Sequence, residues 1–433
     1  MAHVFLLTSK SMQDNNKNIK DDVLLQEEEL ILLRITGVDR PGLTATITGV
    51  LAKYDVDILD IGQADIHSTL SLGFLIRVDE DNSGRVMKEL LFKASELNVN
   101  IRFIPITLAE YEDWVNRQGK DRYILTVLGR KLSAKQIEAV SQLIAEQDLN
   151  IDGIKRLSGR ASIEHPEKTN RACIQFSVRG TPKSHEGLHR ELLRLSSELE
   201  VDCSFQIDNM YRRMRRLICF DMDSTLIQTE VIDELARKHG VYEQVAAITE
   251  SAMRGEIDFK ESFTKRCKLL KGLDVSVMKD IAENLPFTEG VDRLMYVLKK
   301  YGYKIAILSG GFTFFGEYIQ KKYDIDYVYA NELEIDDNGK LTGNYVGEVV
   351  DGKRKAELLK LIAQVEKVNL QQTIAVGDGA NDLPMLSESG LGIAFHAKPR
   401  VVANAQQSIN TIGLDGVLYF LGFKDSYLDA QAQ

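Results

Sequence analysis

Two aspartates, Asp221 and Asp223, stand one residue apart directly behind the apolar run LICF, and the hydroxyl residues Ser224 and Thr225 follow them. Two more carboxylates, Asp378 and Asp382, belong to the run GDGAND behind the apolar TIAV. Ser309-Gly310-Gly311 follows a third apolar run, KIAIL, and Lys353-Arg354-Lys355 lies between it and GDGAND. An Asp at one strand end is adequately explained as a helix cap. Three such ends are not, because strand termini in an open parallel sheet meet at one place, where ligands collect. Carboxylates crowded there repel one another and rise in pKa unless a cation neutralises them. A hard divalent ion with oxygen ligands answers this, and Mg²⁺ suits an incomplete protein cage that leaves places for water and phosphate. Phosphoryl transfer needs positioning and charge neutralisation above all. The hydroxyl and backbone N–H groups at Ser309 and Gly310, with a lysine from 353–355, supply the remaining parts.

The elements that must hold these residues are legible as patterns. From Leu217 onward, short β-branched runs alternate with helical segments, the mark of a parallel α/β sheet. A charged, helical insertion at about 232–285 is too long for an ordinary strand-to-helix connection and reads as a lid. A hairpin is expected at about 333–350, where Asn338-Gly339 separates two apolar runs. Upstream, strands at 30–36, 56–63, 70–78 and 100–106 and helices at 43–54 and 85–97 give the order β-α-β-β-α-β, with Asp39 expected to cap the first helix. The order recurs with strands at 123–129, 151–157, 172–178 and 201–207 and helices at 133–147 and 184–199, the first opened by Ser133. Two such units fit the split β-α-β plan. Residues 1–29 are expected to form a flexible extension. The run MYRRMRR, 210–216, reads as a solvated connector whose arginines meet acidic surface.

The chain of 433 residues has room for several cores. Its net charge of -10 opposes a dedicated nucleic-acid or anionic-membrane binder, which needs a cationic face. Cys173, Cys203, Cys219 and Cys267 are scattered without zinc-site spacing. With no long apolar stretch either, a cytoplasmic location is expected.

DMDST, Ser309, the downstream lysine and GDGAND together resemble the motif set of the haloacid dehalogenase superfamily. The resemblance implies a Rossmann-like parallel-sheet core with a helical cap over residues 209–433. It implies that Asp221 is the nucleophile and Asp223 the acid/base, and an Asp at this second place favours a phosphatase or phosphomutase. The stretches TLIQTEVIDELA, FKESFTKRCKLLKGL, ILSGGF and VGDGANDLPML are similar to members that hydrolyse O-phosphoserine, the last step of serine synthesis. That similarity assigns the substrate ammonium to Glu230, its carboxylate to Arg266, pocket closure to Phe259 and phosphate to Ser309, Gly310 and Lys355. It places Mg²⁺ on Asp221, Asp378 and the Asp223 carbonyl, with Asn381 and Asp382 supporting the phosphate and metal. The units at 30–108 and 120–208 resemble ACT domains, ferredoxin-like α+β modules that bind amino acids and pair. The turn Asp39-Arg40-Pro41-Gly42-Leu43 in the first puts backbone N–H groups at a helix start, where either a serine effector or a homodimer interface is the expected use. The second lacks that turn, which favours an interface. Two alternatives stay open: another small phosphorylated amino acid such as phosphohomoserine as substrate, or an amino-acid sensor with a vestigial phosphatase domain.

Overall fold

The computed structural model describes residues 28–116, 119, 121–160, 163–165 and 170–428. Residues 1–27 of the expected extension lie outside the described residues, whereas Glu28 and Glu29 open the first strand. The chain divides into two compact units, Met1–Gly119 and Lys120–Gln433.

The first unit is a four-stranded antiparallel sheet, β1 (Glu28–Val38), β2 (Asp57–Ile66), β3 (Thr69–Asp79) and β4 (Asn100–Ile106), in the order β2-β3-β1-β4. Alternate residues Ile31, Leu33 and Ile35 of β1, and Leu72, Phe74 and Ile76 of β3, are buried on one face. Helices α1 (Leu43–Lys53) and α2 (Glu80–Glu96) close that face with Ile47, Val50, Leu51, Val86 and Leu90. A further helix, α3 (Leu108–Asn116), follows β4; it has no buried residue and therefore left no apolar stripe to find. The expectation that Asp39 caps α1 is corrected. Gly42 is the N-cap, at φ +89°, and no side chain caps the helix. The turn needs a left-handed residue next to Leu43, which glycine provides without steric cost, and Asp39 lies too early, its N–H donating to Ser68 O.

The second unit begins with the same plan: β5 (Arg122–Gly129), α4 (Ala134–Glu146), β6 (Asn150–Arg156), β7 (Ala172–Arg179), α5 (His185–Leu199) and β8 (Asp202–Ile207), with strand order β6-β7-β5-β8. Ser133 opens α4 in a reciprocal capping box with Gln136. After a short helix, α6 (Met210–Arg213), comes a seven-stranded sheet. Its strands are β9 (Leu217–Phe220), β10 (Lys304–Phe312), β11 (Tyr327–Ile335), β12 (Leu341–Val346), β13 (Thr373–Gly377), β14 (Leu391–Phe395) and β15 (Gln407–Ile409). Their order is β12-β11-β10-β9-β13-β14-β15, all parallel except β12, which returns antiparallel to β11 as the expected hairpin. Central β9 is buried along its whole length, which explains its unbroken apolar run. Four helices fill the insertion after β9: α7 (Val231–His239), α8 (Tyr242–Met253), α9 (Phe259–Leu269) and α10 (Ser276–Glu283). The remaining helices are α11 (Val291–Lys300), α12 (Thr313–Tyr323), α13 (Gly352–Val365), α14 (Leu383–Glu388), α15 (Pro399–Val402) and α16 (Gly416–Phe420).

Within this unit the small sheet is bonded to the large one. The Gln407 side chain pairs with the Phe205 backbone as a peptide would, accepting from its N–H at 3.1 Å and donating to its carbonyl at 3.0 Å. Buried Asp202 accepts from the N–H groups of Asn410 at 2.7 Å and Thr411 at 3.1 Å. Arg130 grips Glu289 with two bonds of 2.6 Å. Leu128, Leu157 and Cys173 join the core around the large sheet. The solvated-connector expectation for 210–216 is corrected at two positions: Arg212 and Arg215 are only 8% and 5% exposed, whereas Met210, Tyr211, Arg213, Met214 and Arg216 are exposed and Arg213 meets Asp208 at 3.0 Å. The connector is drawn inward because it starts from one packed sheet and ends in the centre of another.

Asp202→Ala should remove the acceptor of two part-buried N–H groups and cost about 1 to 2 kcal/mol. A lowered urea midpoint at unchanged near-neutral pH is the expected reading, and an unchanged midpoint would show that the junction carries no stability.

Candidate active site

Strand register gathers the chemistry. Phe220, the last residue of β9, pairs with Ile307 of β10 on one side and Val376 of β13 on the other. The next residues along each strand are therefore Asp221, Leu308-Ser309 and Gly377-Asp378, level with one another at the carboxyl edge of the sheet. Asp221, Asp378 and Asp382 each offer a carboxylate oxygen within 4.8 Å of the others.

Lys355, fully buried on the first turn of α13, points its ammonium at Asp221 Oδ1, 2.8 Å away, and Asp382 Oδ1, 2.7 Å away. Burial opposes this charge, but the two carboxylates more than offset it and hold the ammonium protonated above its usual range. Lys353 is exposed and pairs with Glu357, so Lys355 is the lysine brought into the site. Asp382 also accepts from Gly379 N–H at 2.9 Å, which folds the GDGAND loop back on itself. Asn381 lies half-buried on the same loop.

One ammonium among four carboxylates leaves a negative surplus. Burial first, then Asp382, pushes the Asp221 carboxyl well above the usual range; the same two causes raise Asp378 to about 7. Burial, then Glu230, does likewise to Asp223. An all-oxygen set with this surplus fits a hard divalent cation.

Asp223 turns its carboxyl from the cluster toward the lid, where Oδ1 accepts from Val231 N–H at 3.0 Å. Ser224 between these segments sits at φ +56°, a strained conformation for a residue with a Cβ. Its hydroxyl donates to Glu230 Oε1 at 2.9 Å, orienting that carboxylate at the open mouth of the site. Phe259 starts α9 and lies over Gly310, where an added Cβ would come within 3.0 Å of its ring. Arg266 lies on the same helix, half-buried; its Nε is buried with no hydrogen-bond partner among the described residues. Burial lowers its guanidinium from the usual value, against the fields of Cys267 and Glu230. Ser309 is buried and its Oγ accepts from Gly311 N–H at 2.9 Å. Asp39, Arg40, Pro41 and Gly42 form an exposed turn in the first unit, and Leu43 is buried beneath it.

Two contributors escaped the sequence reading. Asn331, buried on β11, donates to the carbonyls of Gly310 at 2.8 Å and Gly311 at 3.2 Å and accepts from Val350 N–H at 2.9 Å. Its only signal was a lone amide in YVYANEL. Gly311 has no room for a side chain, since a Cβ would strike Asp223 Oδ2 and lie 2.8 Å from Met222 Cε.

The haloacid dehalogenase-like hydrolase family model matches residues 215–390, and ACT-domain models match 29–104 and 122–206. The chain is 38% identical to a phosphoserine phosphatase of Streptomyces coelicolor over 92% of this chain and 94% of that one. It is 36% identical to a phosphoserine phosphatase of Mycobacterium tuberculosis over 92% and 95%. Among solved structures, a probable phosphoserine phosphatase of Vibrio cholerae superposes with a TM-score of 0.55 at 33% identity, covering 71% of this chain and 87% of that one.

Gly311→Ala should displace the Asp223 carboxyl and lower kcat about 100-fold, the scale of an ångström-level misplacement, and its overpacking should lower the melting temperature by a few degrees. Steady-state turnover beside a thermal melt checks both halves.

Proposed function

The chain belongs to the phosphoserine phosphatases, haloacid dehalogenase-like hydrolases preceded here by two ACT domains, and we propose that it hydrolyses O-phospho-L-serine to L-serine and phosphate with Mg²⁺ through an aspartyl-phosphate. The observation that carries this is the Asp221–Lys355–Asp382 chain beside Asp378, next to a second carboxyl, Asp223, that stays outside the cluster. Asp221 attacks phosphorus while Asp223 gives its proton to the departing serine oxygen. Asp223 then takes a proton from the water that cleaves the acyl phosphate, which restores Asp221 and releases phosphate. Ser309, Gly310 and Lys355, with Asn381, hold the phosphoryl oxygens. Asp221, Asp378 and the Asp223 carbonyl would hold Mg²⁺, with Asp382 behind them, and once bound it supplies charge neutralisation for those oxygens.

Glu230 takes the substrate ammonium, the buried unpartnered Nε of Arg266 awaits its carboxylate, and Phe259 closes over it. This pair of opposite charges favours a zwitterionic substrate over other phosphomonoesters. In the cell we place the reaction in the cytoplasm, at the end of serine synthesis. No described helix is long and apolar enough to cross a membrane. We further propose a homodimer, supported by Ile61 and Ile66, 52% and 81% exposed on the edge strand β2. Serine would act as effector at the uncapped start of α1, Asp39 to Leu43, where free N–H groups suit a carboxylate.

Hydrolysis of O-phosphoserine should require added Mg²⁺ and vanish in Asp221→Asn; comparable turnover after chelation would refute the metal assignment. Asp223→Asn should still form phosphoenzyme but turn over poorly, as acid-quench trapping can show. Arg266→Met should raise KM for O-phosphoserine about 10- to 100-fold, the worth of a charged hydrogen bond, and leave phosphoethanolamine, which lacks the carboxylate, nearly unchanged. Equal losses for both substrates would remove Arg266 from substrate recognition.

A further inference from the structure

A second hollow of about 380 Å³ lies within the second unit, between β8, α6 and the β13–β15 side of the large sheet. It shares no lining residue with the carboxylate cluster. Its walls are polar, with Gln206, Gln371, Ser389 and Gln407 beside Arg212 and Arg215. Both arginines are more than nine-tenths buried, a state in which arginine is ordinarily paired with a carboxylate because an uncompensated buried charge is costly.

Here that pairing is missing among the described residues. Arg215 donates through Nη1 to Gln206 Oε1 at 2.9 Å and through Nη2 to Gly390 O at 3.3 Å, and its Nε has no partner. Arg212 has neither an Nε nor an Nη2 partner. The acidic groups around them are committed elsewhere, Asp208 to Arg213 at 3.0 Å and Glu388 on the cavity wall to Lys360 at 2.9 Å. The two cations also weigh on each other: burial, then Arg212, lowers Arg215 to about 10.

Arg212, whose fork has no partner among the described residues, and Arg215, whose Nε alone is without one, line the same polar hollow, and forked donors are the complement of a compact oxyanion. We propose that this hollow is a second small-molecule site, in which Arg212 and Arg215 bind a phosphate or carboxylate group. The two products of the proposed reaction each carry one such group. Gly390, held by Arg215, comes just after Ser389, the C-cap of α14, and the N-cap of that short helix is Asp382, the partner of Lys355. An anion that draws Arg215 from Gly390 therefore acts on the far end of the helix that begins at the catalytic cluster.

The test is thermal melting of the full chain with inorganic phosphate and, in a separate arm, with L-serine, for wild type, Arg212→Met and Arg212→Lys. Melting reads binding whether or not the chain hydrolyses phosphoserine, so failure here is distinct from failure of the proposed activity. Arg212 makes no side-chain hydrogen bond among those described, so Arg212→Met should melt close to wild type without ligand. At ten times the dissociation constant the wild type should gain about 3 °C, and at least half of that gain should be lost in Arg212→Met, whose catalytic site is intact. Arg212→Lys keeps the charge without the fork and should bind roughly tenfold more weakly, the loss of one charge-assisted hydrogen bond. Loss confined to the phosphate arm identifies phosphate, and loss confined to the serine arm identifies a carboxylate. Equal gains in wild type and both variants in both arms would overturn the site.

Discussion

Everything in the large domain answers to one electrostatic constraint: four carboxylates share the carboxyl edge of three neighbouring strands, with a single buried ammonium among them. Lys355 ties Asp221 to Asp382 and fixes where the α13 and GDGAND segments meet. Full burial makes the tie strong and also makes it insufficient, because one positive charge cannot balance the set in a low dielectric. The residual negative field suits a hard divalent cation. The surrounding construction follows from it: close glycine packing at 311 and the hold of Asn331 on the adjacent carbonyls keep the edge rigid enough for mutually repelling groups to stay in place.

The second ACT domain is part of the same rigid body in a chemical sense. Its β8 edge is joined to β15 not by a continued ladder but by a glutamine standing in for a peptide group and by Asp202 accepting two loop N–H groups. Such bonds have fixed direction, so they set register as well as strength. A loose tether would not have drawn two arginines of the connector into the interior.

The catalytic half was legible because its signals are local. An apolar run that ends in Asp-x-Asp announces both a buried strand and its chemical end, and Ser133 three residues before Gln136 announces a capped helix. What could not be read depends on contacts between distant segments. Arg215 meets Gly390 across 175 residues of chain, and nothing in MYRRMRR distinguishes its buried arginines from the exposed Arg213. Asn331 looks like a strand interruption until the loop carbonyls it satisfies are in place. Asp39 is not the cap for a different reason. Side-chain capping is the commoner way to start a helix, but a left-handed glycine beside Pro41 starts this one without it.

The bond from Val231 N–H to Asp223 joins two segments of the chain through one carboxyl. Val231 is the first residue of the insertion's leading helix, so Asp223 ties the end of β9 to the start of that helix. A carboxylate is a strong acceptor at a helix start, and the neutral acid is a weaker one. The hold of β9's carboxyl edge on that helix therefore follows the charge of one side chain, firm while Asp223 is ionised and slack once it is neutral.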